Sequence, residues 1–162
     1  MKKINLARRL TAGLAALSLA GLLAACSLFN TSANRGDDGD ITSGGSLDVF
    51  SVAVGDCFIV PDGETVSEIA AMPCSQAHDA EFVGKVNVTL AAFDKSAISD
   101  EAESFCLDAM DSYVGPNWMD TPLDLSWLLP TEGSWSNGDR EIACFAYSDD
   151  VNLTASVRGM GA

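Results

Sequence analysis

The densest chemistry in the chain is the run Cys74-Ser75-Gln76-Ala77-His78-Asp79-Ala80-Glu81-Phe82, which gathers a cysteine, the only histidine and two carboxylates. Ser75, His78 and Asp79 are the residue types of a hydrolase triad. Adjacent residues seldom set nucleophile, base and orienting acid in line, however, and the chain has neither a Gly-x-Ser-x-Gly elbow nor a recognisable oxyanion loop. Cys57, Cys74 and His78 are types that ligate zinc, but no Cys-x-x-Cys spacing accompanies them. A structural use competes with both: His78 and Asp79 satisfying backbone groups in the turn after Cys74, with Glu81 or Asp79 paired to Arg140 across a sheet. In a binding use, His78, Asp79 and Glu81 share one surface with the loop aromatics Trp118 and Trp135, since an aromatic supplies contact area at low entropic cost. His78 is expected to be structural and the domain non-catalytic, with no cofactor or metal. A secreted hydrolase or metal-dependent enzyme using His78 is the alternative.

Cys57, Cys74, Cys106 and Cys144 are an even set once Cys26 is assigned elsewhere, and in an exported domain they are expected to form two disulfides. Four cysteines permit three pairings, and sequence alone does not choose. Sequential pairing, Cys57 with Cys74 and Cys106 with Cys144, is favoured because it joins the first two strands and pins a helix to the last one.

The elements that must position these groups follow from periodicity. A strand is expected to begin near Cys57, with Pro61-Asp62-Gly63 as its turn, and a second over Thr65 to Met72, ending at Pro73. Phe82, Val86, Val88 and Leu90 alternate with polar residues, the pattern of a strand with one wet face, and Gly84 marks a bulge in it. Ala102, Phe105, Cys106, Ala109, Met110 and Tyr113 then recur as one face of a helix, capped by Asp100 with Glu103 and stopped by Gly115-Pro116. Leu123 to Leu129 and Arg140 to Tyr147 read as a hairpin. Its long connection, Pro130 to Asp139, holds Trp135 and the turn signal Asn137-Gly138, and Trp135, Asp139 and the adjoining Arg140 are candidates for a binding or structural role. The fold class is α+β: a small antiparallel sheet with one principal helix packed on it.

Location is legible at the other end. Lys2, Lys3, Arg8 and Arg9 precede a run from Leu10 to Ala25 of Leu, Ala, Gly, Ser and Thr, too short and small-residue-rich for a lasting transmembrane helix, so 1–25 reads as a signal peptide. It ends in Leu23-Ala24-Ala25-Cys26, a lipobox whose cysteine would become the lipidated mature N-terminus. Residues 26–46, rich in Ser, Asn, Asp and Gly, are expected to be a flexible linker. The domain is expected over 47–150, and 151–162 as a weakly ordered tail. The formal charge is −14; with the leader removed, five of the nine basic residues face all 23 acidic ones, or about −18. Such a chain repels phosphate backbones, which excludes nucleic acid as a partner. The expected partners are the membrane, through the lipid, and an envelope or division protein or wall component.

Val54-Gly55-Asp56-Cys57-Phe58, the Cys74 to Glu81 run, a helical Cys106, and Trp135-x-x-Gly138-Asp139-Arg140 leading to Cys144 together resemble the septum formation family. The resemblance spans Val52 to Tyr147 and departs from it at Ala77, where a proline would be expected before the histidine. It implies an exported domain, lipid- or membrane-anchored, of high-GC Gram-positive bacteria, associated with the division septum. It implies neither an enzymatic activity nor an established ligand.

Overall fold

A computed structural model of the chain describes residues 32–63 and 66–162. The expected signal peptide, the Cys26 lipidation site, the first part of the expected linker and Thr65 lie outside the described residues.

Ten elements follow in order: β1 (Asn34–Arg35), β2 (Ile41–Ser43), β3 (Gly45–Asp48), β4 (Cys57–Ile59), β5 (Glu68–Met72), β6 (Ala80–Asn87), α1 (Lys95–Tyr113), β7 (Asp124–Leu128), α2 (Glu132–Ser136) and β8 (Glu141–Tyr147). β1 and β2 pair as a small hairpin, and the rest form one six-stranded antiparallel sheet in the order β3-β5-β4-β6-β8-β7. Among the described residues no helix is long and apolar enough to cross a membrane.

The sheet is buried on both faces where β6 and β8 run. On one side α1 packs Ile98, Ala102, Cys106, Ala109, Met110 and Tyr113 against Val83, Ile142, Cys144 and Ala146. On the other, Phe58 stacks on Phe82 at 4.6 Å, and Phe145 meets both rings edge-on. The two faces exchange along β6 because its pairing with β8 slips between Phe82 and Gly84. Phe82 therefore joins the aromatic cluster while Val86 and Val88 face the helix. The simple alternation expected from Phe82 to Leu90, with one wet face, is corrected by this bulge.

Both disulfides pair sequentially, Cys57–Cys74 and Cys106–Cys144. The first ties β4 to the turn after β5, the second α1 to β8. Their separations of 17 and 38 residues correspond to about 3 and about 4 kcal/mol in the chain-entropy account.

Three boundaries differ from expectation. The helix starts at Lys95, not near Asp100: Asp94 is the N-cap, its carboxylate accepting the amides of Ser96 and Ala97 at 3.0 and 3.1 Å. The expected linker is folded from Ser32 onward. Arg35, its one basic residue, donates two hydrogen bonds to the buried Asp56 and reaches the carbonyls of Gly39 and Ser51, while Ile41 is buried in the aromatic cluster. The expected tail is docked as well. Leu153 exchanges backbone hydrogen bonds with His78, Leu153 and Val157 are buried beside α1, and Gly161 closes on Val114 and Asn117. The apolar positions Leu153 and Val157 were the signal for this in an otherwise polar segment.

Candidate binding groove

The chemistry-bearing residues are divided between the two ends of α1, whose 19 residues span about 28 Å. At its C-terminal end, Glu81 is fully buried and accepts three hydrogen bonds: from the Tyr113 hydroxyl, from Ser156 Oγ at 2.7 Å and from the Val157 amide at 2.7 Å. Burial, and then the bond to Glu81, push the Tyr113 hydroxyl up to about 12. The Arg158 guanidinium covers the Tyr113 ring at 4.0 Å.

His78 is equally buried. Its Nδ1 lies 2.8 Å from the Gln76 carbonyl and so carries a proton to donate, while Nε2 has no hydrogen-bond partner among the described residues. A hydrolytic base needs a carboxylate behind one ring nitrogen and a nucleophile before the other. Here a backbone carbonyl takes the first place, and Ser75 is exposed on the turn. The sulfurs of Cys57 and Cys74 and a carboxylate oxygen of Glu81 lie within 4.8 Å of one another, but the sulfurs are bonded to each other and offer no thiolate to a metal. The arrangement is that of a structural hub. Asp79 serves it through its backbone, accepting from Ser148 and donating to the Phe58 carbonyl.

Arg140 is elsewhere. It donates to the carbonyls of Trp135 and Asp139 at 2.9 and 2.6 Å, and its guanidinium lies 3.5 Å over the Trp135 ring. The expected pairing of Arg140 with Glu81 or Asp79 is therefore not formed. Nor do Trp118 and Trp135 share a surface with His78. Trp118 donates to Asp111 near the end of α1, whereas Trp135 packs on Phe93 just before its start.

At that N-terminal end lies a cavity of about 700 Å3, mostly apolar, within the range of ligand pockets. The aromatic cluster on this side of the sheet draws on residues from Leu47 of β3 to Leu128 of β7. Residues from both ends of the strand order line the cavity: Val49, Phe50 and Val66 next to β3 and β5, and Trp127, Leu128 and Leu129 at the end of β7. α2 supplies a third wall. Thr131 and Ser134 form its capping box, and Asp139 accepts from Ser134 Oγ at 2.7 Å and from the Glu141 amide at 2.9 Å, fixing the turn that follows. Of the residues singled out from sequence, Asp139 lines the groove while Trp135 and Arg140 buttress it. Val49, Phe50, Lys95 and the Leu128-Leu129-Pro130 run were missed; consecutive apolar residues at strand ends were the available signal.

An antiparallel sheet tied by two disulfides, with one main helix packed on it and an apolar groove beside it, defines an oxidised α+β domain. A family model described as septum formation matches residues 54–158, and the chain belongs to that family. On that description it is a division-related envelope protein. The match reaches Arg158, taking in the docked segment that holds Glu81. No curated protein and no solved structure matches the chain.

Proposed function

We propose that the chain is a lipoprotein of the cell envelope whose non-catalytic domain binds a protein or wall component through the groove during division or envelope growth. The observation that carries this is the groove itself: an apolar cavity of about 700 Å3 with the exposed Phe50 at its mouth, 59 % accessible. Exposed apolar surface of this kind marks an interaction site more often than a fold requirement. The leader and Leu23-Ala24-Ala25-Cys26 support export and anchoring at the outer face of the membrane, and paired cysteines support an oxidising compartment.

Fractionation of cells producing the Cys26→Ala variant tests the anchor: release from the membrane or stalled processing is expected, and unchanged retention at unchanged mature mass refutes it. Crosslinking in intact envelopes tests the groove. Phe50→Glu, at an exposed position, is expected to fold normally and to lose the crosslinked partner; an unaltered crosslink pattern removes the groove from the function.

A further inference from the structure

The groove is lined from both ends of the sheet, and four consecutive residues, Trp127 to Pro130, take part. Of these only Trp127 and Leu128 belong to β7; successive strand residues point to opposite faces, so a cavity that touches both reaches the edge of β7 at its C-terminal end.

The two edges of the sheet are not alike. β3 is partly covered, since Ser32 bridges Ser46 and the Ala33 amide donates to the Ser46 carbonyl at 2.9 Å. β7 has no neighbour beyond it among the described residues. Three of the devices that commonly blunt an edge are absent from it. Asp124–Leu128 contains no proline or lysine, and its pairing with β8 runs without a bulge.

Charge selects among occupants. Glu132 and Asp139 line the groove against one lining cation, Lys95, and Glu141 beside them is paired with Lys85 at 2.9 Å, in a chain of formal charge −14. We infer that the groove takes an extended basic peptide, with apolar residues at alternate positions, that adds to the sheet as a strand beside β7. Main-chain hydrogen bonds to the β7 edge hold it, alternate apolar side chains fill the cavity, and basic side chains meet the acidic rim. This rests on the binding reading of the groove and specifies its ligand.

The probe is a fluorescein-labelled peptide of about eight residues alternating Val and Lys, long enough to cover one strand, added to the full-length oxidised protein in detergent. Saturable binding is expected, with at least tenfold slower hydrogen exchange at outward amides of β7. N-methylation of alternate peptide amides, replacement of Lys by Glu in the peptide, and Leu128→Lys in the protein should each weaken binding at least tenfold. Equal binding of the N-methylated peptide overturns strand addition while leaving a groove that binds side chains. Equal binding of the Glu peptide overturns the charge argument. Failure to bind any peptide overturns the inference, even where the Phe50-dependent crosslink persists and the broader binding function stands.

Discussion

Val157 presents its backbone amide to a carboxylate oxygen of Glu81 at 2.7 Å, although the residues lie 76 positions apart. With Ser156 and Tyr113 donating to the same side chain, one carboxylate ties the central strand, the helix and the C-terminal segment together. Removing it strands several buried donors at once. Glu81→Ala should therefore lower stability by about 3 kcal/mol, toward the upper range for losing a buried charge-assisted partner. Termination after Asp150 should produce a comparable loss in urea melts. A truncated protein as stable as the full chain would show that the docked segment contributes nothing.

The same hub has an alkaline signature. Burial and the bond to Glu81 raise the Tyr113 hydroxyl to about 12, against about 10 for an unfolded tyrosine. Between those values the folded state keeps a proton that the unfolded state releases. The contribution is thus whole below about pH 10 and lost as pH rises through about 12. Tyr147 is raised too, by burial and by Asp124 and Asp149, so Tyr113→Phe should flatten the alkaline fall without abolishing it. Identical stability slopes for variant and wild type over that interval would contradict the assignment.

The bulge in β6 sets how closely the helix approaches. A Cβ added at Gly84 would stand 2.6 Å from the Cβ of Ala109 and 3.3 Å from the Phe105 ring. Gly84→Ala should destabilise the domain by about 2 kcal/mol through overpacking, and Ala109→Gly in the same chain should recover part of the loss. Additive destabilisation of the double variant would place the clash elsewhere.

Gly84 also marks where the sequence was legible and where it was not. Its bulge, the apolar face of the helix, and the strands near Cys57 and from Arg140 to Tyr147 follow from local signals, period and turn residues, while the sequential disulfides were only the favoured one of three pairings that the sequence left open. The exchange of faces does not, because a bulge resets the alternation only for a known partner register. Arg35 with Asp56, and Glu81 with Val157, were likewise hidden, since each joins a polar segment to the core through one long-range contact that leaves no periodic trace. The groove combines both failures. Asp139 and Trp135 stood out as unusual residues on a long loop, but the cavity that Asp139 lines is built from residues at both ends of the strand order, which no local pattern connects.

His78 gives the sharpest separation of a structural from a catalytic histidine. Its ring is fully buried, Nδ1 donates to the Gln76 carbonyl, and its backbone holds Leu153 in both directions. His78→Ala removes the ring and the donor but leaves the backbone bridge. It should cost about 2 kcal/mol, combining a cavity with an unsatisfied carbonyl. His78→Asn places an amide nitrogen near the position of Nδ1 and should recover about 1 kcal/mol of that by restoring the donor. A residue kept for chemistry at an exposed site would behave otherwise, with both variants melting within about 0.5 kcal/mol of wild type. Denaturant melts of the three proteins decide it: the order wild type, Asn, Ala supports the turn-holding role, and three coincident curves would return His78 to the catalytic alternative.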